Sequence, residues 1–168
     1  MLKRLALATA VLALSACGSE KSGTFETEEG DDGVYTIDPA TGESSAKITT
    51  DEGTASFRSG ANVKADLPAG WSIYPGAEVI SATNIDGVEG KGTMVTMESD
   101  ASVDDLIAHY RKQAKKAGLE IKMEMTVDKG RIIAGTSRDG QQFSLNVTTD
   151  TESGKVQAQL MVATDLGG

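Results

Sequence analysis

The sequence predicts an α+β fold, in which one amphipathic helix packs on a face of an antiparallel sheet. Two patterns predict it. Short segments of alternating apolar and polar residues recur between glycine-containing turns, which is typical of half-buried strands. One stretch, 102–117, instead repeats its apolar residues at helical spacing. The chain has 168 residues, of which 39% are hydrophobic and 4% aromatic, so it is long enough for one domain with an aliphatic core.

Three strands are predicted first, at 34–37, 45–50 and 54–59, and each has one apolar face. These faces are formed by Tyr35 and Ile37, Ala46 and Ile48, and Ala55 and Phe57. Because few large apolar side chains lie there, residues 34–66 are predicted to be a small β-strand region that cannot be stable alone. We expect it to pack on the rest of the chain or to extend its sheet.

Residues 67–168 are predicted to form the α+β domain. A segment rich in proline and glycine opens it, and there Trp71 and Tyr74 are expected to cover the core, although paired aromatic side chains could also bind a ligand. The remaining predicted elements are strands at 79–85 and 92–97, the helix at 102–117, and a meander at 121–127, 131–136, 142–148 and 155–163. In the first strand of the meander, Ile121, Met123, Met125 and Val127 alternate and are expected to share a core face.

The helix has matching signals at both ends. Ser102 is a favourable N-cap residue, and Asp104 and Asp105 complement the helix dipole in the first turn. Lys115 and Lys116 do the same in the last turn. Gly118 follows as a C-terminal cap.

The N-terminus carries a targeting signal. A basic start with Lys3 and Arg4 precedes twelve apolar residues at 5–16, which are too few to span a bilayer. The sequence Leu14-Ser15-Ala16-Cys17 resembles the lipobox of bacterial lipoproteins. The resemblance implies that residues 1–16 are a signal peptide, that cleavage separates Ala16 from Cys17, and that Cys17 carries diacylglyceryl. An ordinary secretory leader with an incidental cysteine is the alternative.

Residues 17–33 are predicted to be the lipidated cysteine and a flexible acidic tether, since they combine high charge with low hydrophobicity. Asp directly after the lipidated cysteine resembles an inner-membrane retention signal, and this chain has Gly18 there. That resemblance favours an outer-membrane anchor facing the periplasm. The stretches 74–81 and 102–121 also resemble a module of uncharacterised small secreted and envelope lipoproteins, a resemblance that implies no particular activity.

Charge and composition limit the possible functions. The net charge is −9, so phosphate backbones should repel the chain and nucleic-acid binding is not expected. A single cysteine and a single histidine, His109, leave no disulfide and no multi-histidine zinc site. We expect no cofactor and no metal.

Several side chains could still carry chemistry, each with a simpler structural explanation. His109 could be a general base but is expected to be a half-exposed surface residue. Asp104 and Asp105 could form a carboxylate pair, and Gly87–Gly92 could bind phosphate, but a helix N-terminus and a hairpin explain them. The acidic loops 38–43 and 150–152 could bind calcium but fit surface turns.

Two further groups were weighed as binding sites. Five methionines could hold Cu(I): Met94, Met97, Met123, Met125 and Met161. Met123 and Met125 alternate with Ile121 and Val127, a pattern that is expected of core residues. Four basic residues of the helix could contact an acidic partner or a headgroup but are expected to be solvated: Arg111, Lys112, Lys115 and Lys116.

The sequence therefore predicts a lipid-anchored cell-envelope protein with a non-enzymatic binding or structural role. Its partners would be the membrane, through the lipid on Cys17, and another envelope protein. The first alternative is a periplasmic carrier of a small ligand or metal, which needs an apolar pocket under Val103, Ile107 and Tyr110. The second is a hydrolase, which needs a carboxylate beside His109 in a cleft.

Overall fold

The computed structural model describes residues 21–28, 30–60, 63–87 and 90–164. These residues form ten strands and one helix. In chain order they are β1 Lys21–Glu26, β2 Asp32–Ile37, β3 Ser44–Thr50, β4 Gly53–Ser59, β5 Glu78–Gly87, β6 Gly90–Ser99, α1 Val103–Lys116, β7 Glu120–Val127, β8 Gly130–Thr136, β9 Gln142–Thr149 and β10 Val156–Thr164. All the strands belong to one antiparallel sheet, ordered β1-β2-β3-β4-β5-β6-β10-β9-β8-β7.

The predicted fold class is wrong. Strands make up 56% of the described residues and α1 is a single short helix, so the structure is mostly β rather than α+β. The region 34–66 is also not a piece preceding the sheet, because β4 pairs with β5 along the whole of Gly53–Ser59. These strands extend the sheet. Alternation identifies a strand but does not specify which strand pairs with it, so the sequence left this arrangement open.

The tether prediction is wrong for residues 21–26, which form β1 and pair with β2. The physical reason is local packing across the two strands. The ring of Phe25 covers Gly33, and the ring of Tyr35 covers Gly23, so closely that a Cβ on either glycine would clash with the ring. An aromatic ring over a cross-strand glycine stabilises an edge pair, and composition alone does not show this pairing.

Helix α1 confirms the helix prediction. The Ser102 side chain accepts a hydrogen bond from the Asp105 backbone N–H at 3.1 Å. Its buried residues Leu106, Ile107, Tyr110 and Ala114 pack against β7, β8 and β9. We call this side of the sheet the helix face and the opposite side the open face. Helix α1, the only helix among the described residues, is not long and apolar enough to cross a membrane.

The segment 63–77 covers the helix face beside α1. Trp71 is buried and lies against Phe143, with their ring centroids 5.2 Å apart. The Thr93 hydroxyl donates a hydrogen bond of 2.9 Å to the Asp66 carbonyl. The expectation that Trp71 covers the core is confirmed. The core lies between the helix face of the sheet and a layer formed by α1 and this segment.

A β-bulge changes the orientation of β7. The register shifts between Ile121 and Met123, which leaves Lys122 as the extra residue. Since a bulge reverses the alternation that follows it, Ile121 packs on the core while Met123 and Met125 lie on the open face, each 45% exposed. The prediction that Ile121, Met123, Met125 and Val127 share a core face is therefore wrong.

Candidate functional site

The central rows of the open face are almost without charge. Strand register aligns three consecutive rows of side chains across all ten strands. From β7 to β1, the first row is Met123, Ala134, Ser144, Met161, Met94, Thr83, Phe57, Ala46, Tyr35 and Gly23. The first row lies between the other two. The second row, on one side of it, runs from Met125 to Lys21 through Gln159, Thr96 and Ser59. The third row, on its other side, runs from Glu120 to Phe25 through Ala163, Ile85 and Ile48.

Charged residues lie only at the ends of these three rows, Glu120 on β7 and Lys21 on β1. The next row of the same face contains Glu78 and Glu98, and Glu98 lies 3.5 Å from the Lys155 Nζ. In the whole chain, 24% of the residues are charged. Charge on an ordinary protein surface is spread over all sides, and its depletion marks the centre of interfaces. The open face therefore has the composition of a surface that is covered.

The N-terminal strands direct their apolar side to the open face. Tyr35, Ile37 and Phe57 lie there and are 38%, 43% and 42% exposed. On the helix face the same strands carry polar residues such as Ser56 and Arg58, which alternate with them. The predicted apolar faces of these strands thus exist, but they point away from the core. No described part of this chain covers them.

Four methionines also lie on the open face, where they are 38–45% exposed: Met94, Met123, Met125 and Met161. Only Met97, among the five weighed as a copper site, is fully buried in the core. The core prediction is wrong for Met123 and Met125. Met94 and Met161 are cross-strand partners, whereas Ser144 and Ala134 separate Met161 from Met123. The thioethers form two pairs rather than one cluster.

Tyr110 fills the space between α1 and the sheet. Its hydroxyl donates to the Met97 sulfur at 3.2 Å and accepts from the Tyr74 backbone N–H at 3.0 Å. Burial raises the pKa of Tyr110 to about 12, so the phenol stays neutral. Where a carrier would need its pocket, the side chains of Leu106, Ile107 and Tyr110 are themselves buried in the core.

His109 lies beside the core, between two aromatic rings and the amide of Gln113. The rings of Tyr74 and Tyr110 meet it edge-on, each with a centroid distance of 5.0 Å. Its Nε2 lies 2.5 Å from the Gln113 Nε2. Burial, and secondarily the charge of Lys112, lowers the pKa of His109. Among the described residues no carboxylate forms an ion pair or hydrogen bond with it, so the pairing that a hydrolase requires is not found there.

A groove of about 550 Å³ runs between α1 and strands β7 and β8. Its floor includes Ile107 and Ala108, and its rim is lined by charged residues: Asp104, Arg111, Lys112, Lys115, Glu124 and Arg131. Arg111 pairs with Glu124 at 2.7 Å and Arg131 with Asp104 at 2.9 Å. The predicted basic cluster is thus partly neutralised.

The other predicted carboxylate sites have structural roles. Asp104 reaches Arg131, whereas the Asp105 carboxylate accepts from the Ser102 hydroxyl at 2.6 Å, so the two acids do not act as a pair. Asp38 and Asp150 each accept backbone N–H groups of their own turns, which lowers their pKa values. Within the described ranges, no group of three or more His, Cys, Asp and Glu residues could hold a metal ion.

Two predicted sites are only partly visible. In the glycine-rich stretch 87–92, Gly87 pairs with Gly90 across the β5–β6 hairpin, and residues 88 and 89 lie outside the described residues. Ala16 and Cys17, the predicted cleavage and lipidation sites, also lie outside them.

Sequence analysis missed the open face as a candidate site, although it identified the alternation that forms it. One signal in the sequence pointed to this face. Strands β1–β4 have large apolar side chains, such as Phe57 on β4, although they contribute none to the core. A period of two assigns residues to a common side but does not say which side faces the core.

Comparison with known proteins gives one match. The model of the START domain-like family matches residues 79–159, a segment that begins in β5, includes α1 and ends in β10. Neither the curated proteins nor the solved structures give a match. The similarity to the START domain-like family is therefore confined to just under half of the chain, and strands β1–β4 lie outside it.

Proposed function

We propose that this chain is a lipid-anchored cell-envelope protein that binds another envelope component through the open face of its sheet. The role is non-enzymatic. The anchor is the diacylglyceryl group on Cys17, and the folded part that begins at β1 stands close to the membrane surface. The proposed location is the outer membrane, with the sheet in the periplasm.

The observation that carries the binding role is the apolar open face. A sheet normally buries the face on which its large apolar side chains lie. Here the helix face of β5–β10 is buried by α1 and the segment 63–77, whereas Tyr35, Phe57 and Met161 are left exposed on the other side. Large exposed apolar patches on soluble domains mark interaction sites.

The lipobox supports the anchor, and its test is fractionation. In cells that express the full chain, the protein should sediment with membranes, and mass spectrometry should find diacylglyceryl on Cys17. The Cys17→Ala variant should leave the membrane fraction. A matched control moves the cysteine by two positions, Cys17→Ala with Ser19→Cys, and should not restore anchoring because the lipobox spacing is lost. Membrane retention of Cys17→Ala would contradict the anchor.

The binding role is tested by photo-crosslinking in intact cells. A photoreactive phenylalanine analogue replaces Met161 on the open face or, as the control, Val34, which is 52% exposed on the helix face. We expect discrete adducts from position 161 and none from position 34. Absence of adducts at position 161, or the same adducts from both positions, would contradict binding by the open face.

A ligand-binding role is the second candidate, and the START domain-like similarity of residues 79–159 favours it. Since Tyr110 fills the space under α1, the place for a ligand is the groove beside Ile107. Its apolar lining residues, and the excess of basic over acidic residues on its rim, suit an anion with an apolar part.

An amphiphilic dye tests the groove. Anilinonaphthalene sulfonate should gain fluorescence with the chain if the groove binds such ligands, and Lys115→Glu should remove that gain. Lys47→Glu, which changes a lysine of β3 far from the groove, is the control. Equal fluorescence in both variants would exclude the groove.

A further inference from the structure

We infer that the component bound by the open face is a second copy of this chain, packed sheet against sheet about a two-fold axis. The inference rests on the proposed function, since it names the partner of the same surface. It follows from how the residues are distributed across the sheet, from the size of the surface and from its lack of charge.

The two halves of the open face carry different apolar side chains, which can pack against each other. Five strands, β1–β5, lie on one side of the sheet's midline and five, β6 to β10, on the other. The first half carries the aromatic residues Tyr35 and Phe57, and the second half carries the methionines Met94, Met123, Met125 and Met161. Methionine sulfur packs favourably against aromatic rings.

A two-fold axis parallel to the strands, passing between β5 and β6, superimposes these halves. It places the fourth strand of one copy over the seventh of the other, which is β4 over β10. Phe57 and Met161 belong to the same row. The ring of Phe57 in each copy then faces Met161 of the other, as an isologous interface requires.

The surface has the size of a small specific interface. Nine strand spacings and three rows give about 43 Å by about 14 Å, or roughly 600 Å² per copy. Two copies would bury roughly 1,200 Å², the lower limit for specific complexes. Two sheets with the native twist pack face to face about 10 Å apart, so the geometry is an ordinary one.

Charge and anchoring favour a second copy over lipid. The chain is strongly acidic, at −9, and two copies can approach only where that charge is absent, as in the three central rows. Glu78 and Glu98, in the next row, lie at the edge of this contact. Anionic headgroups would need basic residues, and the three rows offer only Lys21 at an edge. If the two-fold axis is perpendicular to the membrane, both Cys17 residues lie at the same distance from the membrane surface, so both anchors can insert. Confinement to one membrane also raises the effective concentration of the copies.

Thiol crosslinking of the full, lipidated chain in isolated membranes tests the inference. If Cys17 is lipidated, an introduced cysteine is the only free thiol. Thr83→Cys lies on β5 next to the proposed axis, so a short bis-maleimide should produce a species of twice the monomer mass. Val34→Cys, on the helix face, should give none. Adding Phe57→Lys to Thr83→Cys should abolish the dimer, whereas adding Val34→Lys should leave it unchanged.

The outcomes separate the inference from the proposed function. A dimer that persists with Phe57→Lys, or no dimer with Thr83→Cys, overturns the second copy as the partner. If position 161 nevertheless forms photo-adducts with other envelope proteins, the proposed function stands without this inference. If position 161 forms no adduct and Thr83→Cys forms no dimer, both fail. Circular dichroism of the Phe57→Lys chain tests whether unfolding causes the loss of the dimer. We expect the chain to stay folded, because the Phe57 side chain is already 42% exposed.

Discussion

Tyr110 shows how one buried side chain bears on the proposed carrier role. A smaller residue at this position would leave an apolar space under α1, as a carrier requires. Tyr110 instead fills it, and its hydroxyl links α1 to Met97 in the sheet and to the backbone of Tyr74 in the covering segment. The sequence predicted that Tyr110 lies on the apolar side of the helix, but it could not show which partners the hydroxyl would reach.

Tyr110→Phe should lower the free energy of unfolding by about 1 kcal/mol, because the partly buried Tyr74 N–H loses its acceptor. Chemical denaturation of the full chain measures this. Tyr35→Phe, a matched change on the open face, should be close to neutral. Equal effects of the two substitutions would contradict the buried hydrogen-bond network.

His109 should make stability depend on pH. Because burial lowers its pKa in the folded chain below the ordinary value of 6.5, the unfolded chain binds the proton more readily. Stability is therefore complete above the unfolded-state pKa and is lost as the pH falls through 6.5 towards the folded-state value. The groups that face the ring are Tyr74, Tyr110, Gln113 and Lys112.

Thermal melting of the wild-type chain between about pH 7.5 and about pH 5 should show this loss. His109→Gln, which cannot be protonated, should flatten the curve over that interval. An unchanged pH dependence in His109→Gln would mean that other groups cause it.

At the scale of elements, sequence patterns located the helix and nine of the ten strands to within about two residues of their ends. Differences of this size are usual at the ends of helices and strands. Helix α1 was predictable because Ser102, the apolar stripe and Gly118 act locally. The bulge at Lys122 was not, because it depends on pairing with β8. One extra residue there moved Met123 and Met125 from the expected core to the open face.

Strand β1 is the element that composition predicted wrongly, and its pairing can be tested. Phe25→Ala removes the ring that covers Gly33, so the amides of 21–26 should exchange with solvent faster while those of β3 stay protected. Hydrogen-exchange mass spectrometry resolves the two segments. Glu26→Ala, an adjacent change that keeps the ring, is the control. Unchanged protection of β1 in Phe25→Ala would show that the ring does not hold this edge.

For the whole molecule, the two faces of one sheet have separate roles. The helix face forms the core, and the segment similar to the START domain-like family, 79–159, contains most of it. Strands β1–β4 add little to that core, yet they widen the open face and supply its aromatic residues. We interpret them as an extension for binding rather than for stability.

The sequence predicted the strands of this extension but not their purpose. Tyr35, Ile37 and Phe57 were predicted to lie on apolar faces. Because few large apolar side chains lie there, the region was expected to pack on the rest of the chain or to extend its sheet. Sheet order assigned these residues to the side away from α1, and that order depends on pairing between residues far apart in the chain, such as Phe57 with Thr83. Lipidation of Cys17, in contrast, depends on a short local motif and remains a prediction from the sequence.

The most direct test of the central claim, that the open face is a covered binding surface, is oxidative footprinting of the methionines in membranes from cells that express the full chain. Met97 is buried and serves as the internal reference for protection, while the chain in denaturant gives the rate for full exposure. We predict that Met94 and Met161 oxidise nearly as slowly as Met97, although both are more than a third exposed in the single chain. Rapid oxidation of Met94 and Met161 while Met97 stays protected would contradict the account.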